Sequence, residues 1–141
     1  MTTQYWLVKQ EPEAYAWETF LRDKQTVWDG VRNYQARNNL AAMRKGDQAL
    51  FYASVGPKEV QGVVEVTKTA FPDPTTDDER WLAVKFKAGR TLPKPVTLAQ
   101  IKADKILQDI ALVRQSRLSV IPLTSAEFKR ILKLGGDPGG K

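Results

Sequence analysis

Apolar and polar positions change period several times along the chain, and each change marks an element. Tyr5-Trp-Leu-Val8 is an aromatic and β-branched run within Gln4–Lys9 that stops at Glu11-Pro12, which predicts a first strand. Tyr15, Trp17, Phe20 and Leu21 then recur at helical spacing up to Asp23-Lys24, so a helix follows. From Val27 to Asn39 the chain is polar and amide-rich, without strand alternation, and its second half turns helical: Ala36, Leu40 and Met43 fall at i, i+4 and i+7 with Gly46 as a stop. Extended back one turn, that face takes in Arg32 and Asn33, hydrophilic side chains that need partners if they turn inward.

Asp47–Ser54 and Glu59–Lys68 read as strands joined by a Val55-Gly56-Pro57 turn, and Trp81–Lys87 as a further alternating strand. Between them, Phe71–Glu79 carries two prolines and four acids, the composition of a solvated connection. Thr97-Leu-Ala-Gln100 and Thr124-Ser-Ala-Glu127 are capping boxes, with Val96/Ile101 and Leu123/Phe128 placed as hydrophobic staples, so each opens a helix. Leu118–Pro122 makes a last short strand, Gly135 ends the final helix, and residues 136–141 read as a loose tail. The order β-α-α-β-β-β-α-β-α, with few long crossovers, predicts a single α+β domain over 1–141: a small, mostly antiparallel β-barrel flanked by helices.

Composition narrows the chemistry. The chain has 141 residues, 42% hydrophobic and 27% charged, enough to bury a core without disulfides. It has no cysteine and no histidine, so Cys/His zinc sites, a zinc deaminase centre, Ser-His-Asp or Cys-His pairs and thiol redox centres are excluded. Acid–base work would fall to carboxylates, lysines and tyrosines. No dinucleotide fingerprint, phosphate loop or metal-ligand spacing is present, so neither cofactor nor metal is expected. The N-terminus lacks the apolar core of a signal peptide, and the longest uncharged run elsewhere, Gln48–Pro57, is about half a membrane span. A cytoplasmic protein without membrane partners is expected.

Charge gives a direction. Lysines and arginines number 22 against 16 acids, a net +6. The segment Arg80–Arg117 holds nine basic residues and only two acids, Asp104 and Asp109. Such a surplus is either a solubility feature or a phosphate-contacting face. Two segments carry more specific chemistry. Trp28-Asp-Gly-Val-Arg-Asn-Tyr-Gln-Ala-Arg-Asn-Asn39 sets a tryptophan beside a carboxylate, two arginines and three asparagines, and Arg114-Gln-Ser-Arg-Leu-Ser119 is a polar, basic entry into a strand. A pocket for a flat heterocycle needs an aromatic wall, amide or carboxyl groups for the ring edge, and cations at the rim for phosphates. Trp28 is equally compatible with a core position whose indole N–H is satisfied.

The strings Tyr5-Trp-Leu-Val-Lys-Gln-Glu-Pro12, Val27-Trp-Asp-Gly-Val-Arg-Asn-Tyr-Gln-Ala-Arg-Asn-Asn-Leu40, Gly46-Asp47 followed by Leu50-Phe-Tyr52, Gly62-Val-Val-Glu-Val66 and Leu112–Val120 closely resemble the EVE domain, from about Tyr5 to Leu134. That resemblance implies a PUA-like barrel, related to YTH and ASCH domains, with a concave pocket beside it. YTH relatives bind a methylated adenine in RNA, and EVE domains joined to restriction nucleases are associated with modified cytosine in DNA. By this analogy Trp28 is a stacking wall, and Lys9, Gln10, Glu11, Asp29, Asn33, Tyr34, Tyr52 and Ser54 complete a base pocket. Arg32, Arg37, Arg114 and Arg117 become phosphate or rim contacts. The family's Lys-Ser-Glu-Pro pattern stands here as Lys9-Gln10-Glu11-Pro12, with a longer amide at position 10.

The implied function is a non-catalytic module that binds DNA or RNA and reads a modified nucleobase flipped into an aromatic pocket. Unstacking a base costs a few kcal/mol and one aromatic stack returns about 1–3, so edge hydrogen bonds and phosphate contacts must supply the affinity. The alternatives are a small enzyme acting on a nucleotide or heterocycle through Asp29 or Glu11, and a quaternary-ammonium cage using Trp28 with Tyr34 or Tyr52.

Overall fold

The computed structural model describes residues 3–140. In chain order the elements are β1 (Tyr5–Gln10), α1 (Trp17–Asp23), β2 (Gln25–Trp28), α2 (Tyr34–Ala42), β3 (Gln48–Ala53), β4 (Glu59–Pro72), β5 (Leu82–Thr97), α3 (Leu98–Ala103), α4 (Ala111–Arg114), β6 (Val120–Leu123) and α5 (Ser125–Leu134), followed by a 3-10 turn at Pro138–Gly140. Six strands form one sheet in the order β2-β5-β4-β3-β1-β6. β1 and β3 run parallel, with Leu7 opposite Leu50, and every other ladder is antiparallel. The α+β class and the mostly antiparallel sheet are as expected. The closed barrel is not: among the described residues the ladder stays open at β2 and β6.

Three strands depart from the sequence reading for identifiable reasons. β2 was not anticipated because Gln25–Trp28 is too short to show alternation; it exists as an edge strand templated by β5, with Val27 opposite Lys85 and Trp28 opposite Val84. β5 runs for 16 residues rather than ending at Lys87. Its prolines, Pro93 and Pro95, fall between the paired positions Thr91 and Val96, where the register shifts and no ladder N–H is needed. β4 likewise continues to Pro72, which pairs with Leu82, and so shortens the expected connection.

The helices follow their local signals more closely. α1 stops at Lys24, whose φ is +68°. Both capping boxes form: Thr97 and Thr124 accept from the backbone N–H groups of Gln100 and Glu127, whose side chains reach back to the threonine N–H groups. α2 begins one residue after Asn33, whose side chain accepts from Ala36 N at 2.9 Å. Arg32 and Asn33 are therefore exposed, outside the helix, and the expectation that they turn inward fails. α4, a single turn, had no periodic signal.

The core lies between the curled sheet and the helices. Trp17, Phe20, Trp28, Phe51 and Phe86 form one aromatic cluster, with ring centroids 5.2 to 6.4 Å apart for the contacting pairs. Gly62 admits it: a Cβ there would stand 2.1 Å from Trp17 Cζ2. Asp47 is buried beneath the start of β1, where its carboxylate accepts from Trp6 Nε1 (3.1 Å), Gln4 N (3.0 Å) and Arg44 N (2.9 Å). Residues 136–140 are not a loose tail. Asp137 is buried and takes Arg90 in a bidentate pair at 2.7 and 3.0 Å, fastening the chain end to β5. Lys141 lies outside the described residues. Among the described residues no helix is long and apolar enough to cross a membrane.

Candidate functional site

Two hollows meet where β1 leaves the sheet. One, of about 440 Å³, is lined by Gln10, Ala14, Tyr15, Thr26, Val27, Trp28, Asp29 and Gly30. The other, of about 420 Å³, is lined by Lys9, Gln10, Glu11, Ser54, Ser116, Arg117 and Ser119. Gln10, the last residue of β1, borders both. β1 and β2 are separated in the ladder by β3, β4 and β5, yet their ends line the same hollow. The sheet therefore curls strongly without closing, and the aromatic hollow occupies the mouth of the curl.

Trp28 contributes less open surface than a free stacking platform would. It is 4% exposed, and Phe51 and Phe86 meet its ring nearly edge-on, at 5.9 Å and 86° and at 5.5 Å and 84°. Most of the indole is core, and what remains forms part of one wall. Tyr15 adds a second aromatic ring and donates its hydroxyl to Asp23 at 2.9 Å. Burial pushes the Tyr15 phenol pKa up, with Asp23 adding to the rise.

The polar groups of the aromatic hollow have spare capacity. Gln10 Oε1 accepts from Glu11 N at 3.1 Å, which leaves its amide N–H groups available. Asp29 is exposed at the rim, and its carboxylate makes no hydrogen bond to another residue among the described ones. Partial burial raises its pKa, and the nearby Asp73 charge raises it further.

Asp73 is the rim's anchor, and it overturns the reading of Phe71–Glu79 as merely solvated. Its side chain is fully buried and accepts from Gly30 N (2.8 Å), Arg32 Nη1 (2.9 Å), Thr75 N (2.7 Å) and Thr75 Oγ1 (2.5 Å). Burial would raise its pKa, but the Thr75 hydroxyl, the Arg32 guanidinium and the two backbone N–H groups outweigh that and hold it at about 2.

In the second hollow, Lys9 Nζ donates to the Ser116 carbonyl at 2.7 Å, and burial lowers the Lys9 pKa. Arg117 is exposed and makes no ion pair among the described residues. The hydroxyls of Ser54, Ser116 and Ser119 make no hydrogen bond there either, so the hollow offers donors rather than satisfied structure.

The remaining candidates are scattered. Asn33 is spent capping α2, and Tyr52 is buried on β3, where burial raises its pKa. Tyr34 lies outside both hollows, its ring 5.1 Å from Trp81 and its hydroxyl accepting from Arg80 at 2.9 Å. Tyr34 and Tyr52 therefore supply no further walls beside Trp28, and the quaternary-ammonium cage is not assembled. Arg32 is committed to Asp73, Arg37 lies over Tyr34 and donates to the Arg80 carbonyl at 3.3 Å, and Arg114 pairs with Asp109 at 2.9 Å. Of the expected arginines, Arg117 is the one that lines either of these two hollows.

Ion pairing also thins the basic segment, since Arg80, Lys87, Arg90 and Arg114 are matched with Asp78, Glu65, Asp137 and Asp109. Lys85, Lys94, Lys102, Lys105 and Arg117 make no ion pair among the described residues. No three His, Cys, Asp or Glu side chains group there to hold a metal. Sequence reasoning missed Tyr15 and Thr26 as lining and Asp73 as anchor. Ser116 and Ser119 lay within a segment it had singled out, and Asp73-Pro-Thr75 carried the signal of an Asx turn.

Residues 4–134 match the EVE domain model. Human thymocyte nuclear protein 1 is 35% identical over 167 aligned positions, covering 94% of this chain and 74% of that protein. Its crystal structure in complex with 5-methylcytosine-containing DNA superposes with a TM-score of 0.81 at 33% identity, covering 94% of this chain and 98% of that one. The crystal structure of Atu2648 from Agrobacterium tumefaciens superposes at 0.92 with 40% identity, over 96% and 94% of the two chains. A YTH domain from Zygosaccharomyces rouxii, solved with N6-methyladenosine RNA, is alike in fold alone: TM-score 0.59 and 17% identity over 94% of this chain and 86% of that one.

Proposed function

This chain belongs to the EVE domain family, and on that footing we propose that it binds nucleic acid and reads one modified base in the hollow beside Trp28, without turning it over. The observation that carries the reading is the joining of two unlike hollows at Gln10. One is aromatic with amide and carboxylate edges, and in the other Lys9, Arg117 and three serine hydroxyls outnumber the single Glu11 carboxylate. A nucleotide has the same two-part character, a flat heterocycle linked to an anion. The aromatic hollow's volume of about 440 Å³ falls in the range of small-ligand sites. The DNA-bound human relative supports the partner class.

A base reaches such a hollow only when unstacked, either in a single strand or by flipping from a duplex. Stacking against a wall as covered as Trp28 recovers less than a fully open platform would, so the edge groups Gln10 and Asp29 and the cations Lys9 and Arg117 carry most of the affinity. Glu11 and Asp29 are the acid–base candidates of the enzymatic alternative. They line different hollows, and neither carboxylate is hydrogen-bonded to another residue among the described ones.

Titration calorimetry with oligonucleotides that differ at one modified position tests the reading, and mass spectrometry of the same mixtures tests for turnover. Binding that favours a modified base and is lost when Thr26→Trp fills the hollow is the expected result. Equal affinity for modified and unmodified strands refutes base reading, and any covalent change in the strand refutes the non-catalytic role.

A further inference from the structure

A further hollow, of about 320 Å³, meets the other end of the β3–β4 turn and is lined by Pro57, Lys58, Thr97, Leu98, Ala99 and Lys102. Its lining holds two lysines and no acid, and neither lysine makes an ion pair among the described residues. The turn itself, residues 54–57, therefore runs between two cation-bearing hollows: Ser54 lines the one with Lys9 and Arg117, and Pro57 lines the one with Lys58 and Lys102. Both of its ends are tied down. Ser54 N donates to the Gln10 carbonyl at 3.0 Å, which seats the start of the turn on the residue shared by the aromatic and basic hollows. Leu98 N donates to the Lys58 carbonyl at 2.9 Å, and Gly56 at φ +81° and Lys58 at φ +49° fold the chain back between these ties. Within this span Val55 is 50% exposed.

We infer that Val55 is a wedge for a nucleic-acid duplex, entering the base stack beside the nucleotide whose base occupies the aromatic hollow, with Lys58 and Lys102 at one end of the turn and Lys9 and Arg117 at the other holding backbone phosphates. This rests on the base-reading proposal and adds to it the surface that opens a duplex. A lone exposed valine is ordinary on a protein surface. This one stands one residue past the rim of the base hollow, on a turn fixed at both ends, with cations to either side. Those cations favour a polyanion as the occupant, and apolar side chains inserted between base steps are how proteins hold a duplex unstacked. A base drawn out of a duplex leaves a gap, and an apolar side chain filling it offsets part of the unstacking cost. Fixing the turn beforehand spares the ordering cost of insertion. A single strand has no such gap, so the wedge acts on duplex binding and the base hollow acts on both.

Duplex and single-stranded DNA oligonucleotides, each with one central 5-methylcytosine, the base in the DNA of the human relative's complex, are titrated by fluorescence anisotropy against the wild type, Val55→Ser, Val55→Leu and Thr26→Trp. Circular dichroism checks each fold. Val55→Ser is expected to weaken duplex binding by about tenfold, the effect of burying one valine side chain, and to change single-strand binding by less than about twofold. Val55→Leu, which keeps an apolar tip, should stay within about threefold of the wild type on the duplex. Lys58→Gln and Lys102→Gln should each flatten the duplex dependence of log K on log salt by about 0.9, and unchanged slopes overturn the part given to these lysines. A Val55→Ser loss that is equal for the two DNA forms, or absent from the duplex, overturns the wedge, as does a wild type that binds the single strand and not the duplex. Each of these leaves the base hollow standing. Affinities that Thr26→Trp leaves unchanged, or no binding to either DNA form, overturn the base-reading proposal and the wedge with it.

Discussion

Replacing Asp73 by Asn removes one charge and leaves the shape, so it isolates what the buried carboxylate does for the rim of the aromatic hollow. In the wild type, one oxygen takes Gly30 N and Arg32 Nη1, and the other takes both Thr75 donors. An asparagine must turn its NH₂ toward one of these pairs, which sets donor against donor. Two charge-assisted hydrogen bonds are lost, each contributing about 1.5–3 kcal/mol. Arg32 is 41% exposed and regains water, which softens the loss, so the expected cost at neutral pH is about 2–4 kcal/mol. The acid limb supplies an independent check. A folded pKa of about 2 lies below the ordinary aspartate value of 3.8, so this contribution is fully present above pH 4 and is lost as pH falls toward 2. The shift is worth about 1–2 kcal/mol after allowance for solvent around Arg32. Urea unfolding followed by tryptophan fluorescence at pH 7, 4 and 2.5 measures both quantities. The Asn variant should start lower and fall less steeply. A neutral-pH loss under about 1 kcal/mol, or parallel acid limbs for the two proteins, would show that Asp73 does not fasten this loop to Gly30.

Other substitutions test other parts of the fold. Gly62→Ala drives a methyl into the Trp17 ring at a nominal 2.1 Å, and because Trp17 packs on Phe51, which packs on Trp28, urea unfolding should show a loss of about 1–3 kcal/mol or more, with a weaker ligand response. Arg117→Ala should flatten the dependence of log K on log salt by about 0.7–0.9 for nucleic-acid binding and leave thermal stability unchanged, whereas Arg32→Ala should lower stability and leave that slope alone. Asp137→Asn should cost about 1–2 kcal/mol and release residues 136–140, seen as faster amide hydrogen exchange there.

Legibility in the sequence followed the range of the interactions involved. The capping boxes at Thr97 and Thr124, the glycine behind the final helix and the strands on either side of the Val55-Gly56-Pro57 turn were readable because each is set by neighbours a few residues apart. β2 and the far half of β5 were not, since a four-residue edge strand and a proline-bearing strand become strands only through distant partners, about 60 residues away in the chain for β2 and about 25–40 for β5. The site divides the same way. Lys9, Gln10 and Glu11 declared themselves as a motif at a strand end, and Trp28 and Asp29 as an aromatic–acid pair, and the fold brings both groups to one mouth. Asn33, Tyr34 and Arg32 stood in the same string but were drawn off by demands invisible in one dimension: a helix start to cap, Trp81 to cover, and a buried Asp73 to neutralise. A polar, amide-rich segment advertises that hydrogen-bonding capacity is needed without saying where. Only the packed structure separates donors consumed in holding the rim from groups left facing the hollow, and it is that remainder, Asp29 with Gln10, that has chemistry still to spend on a ligand.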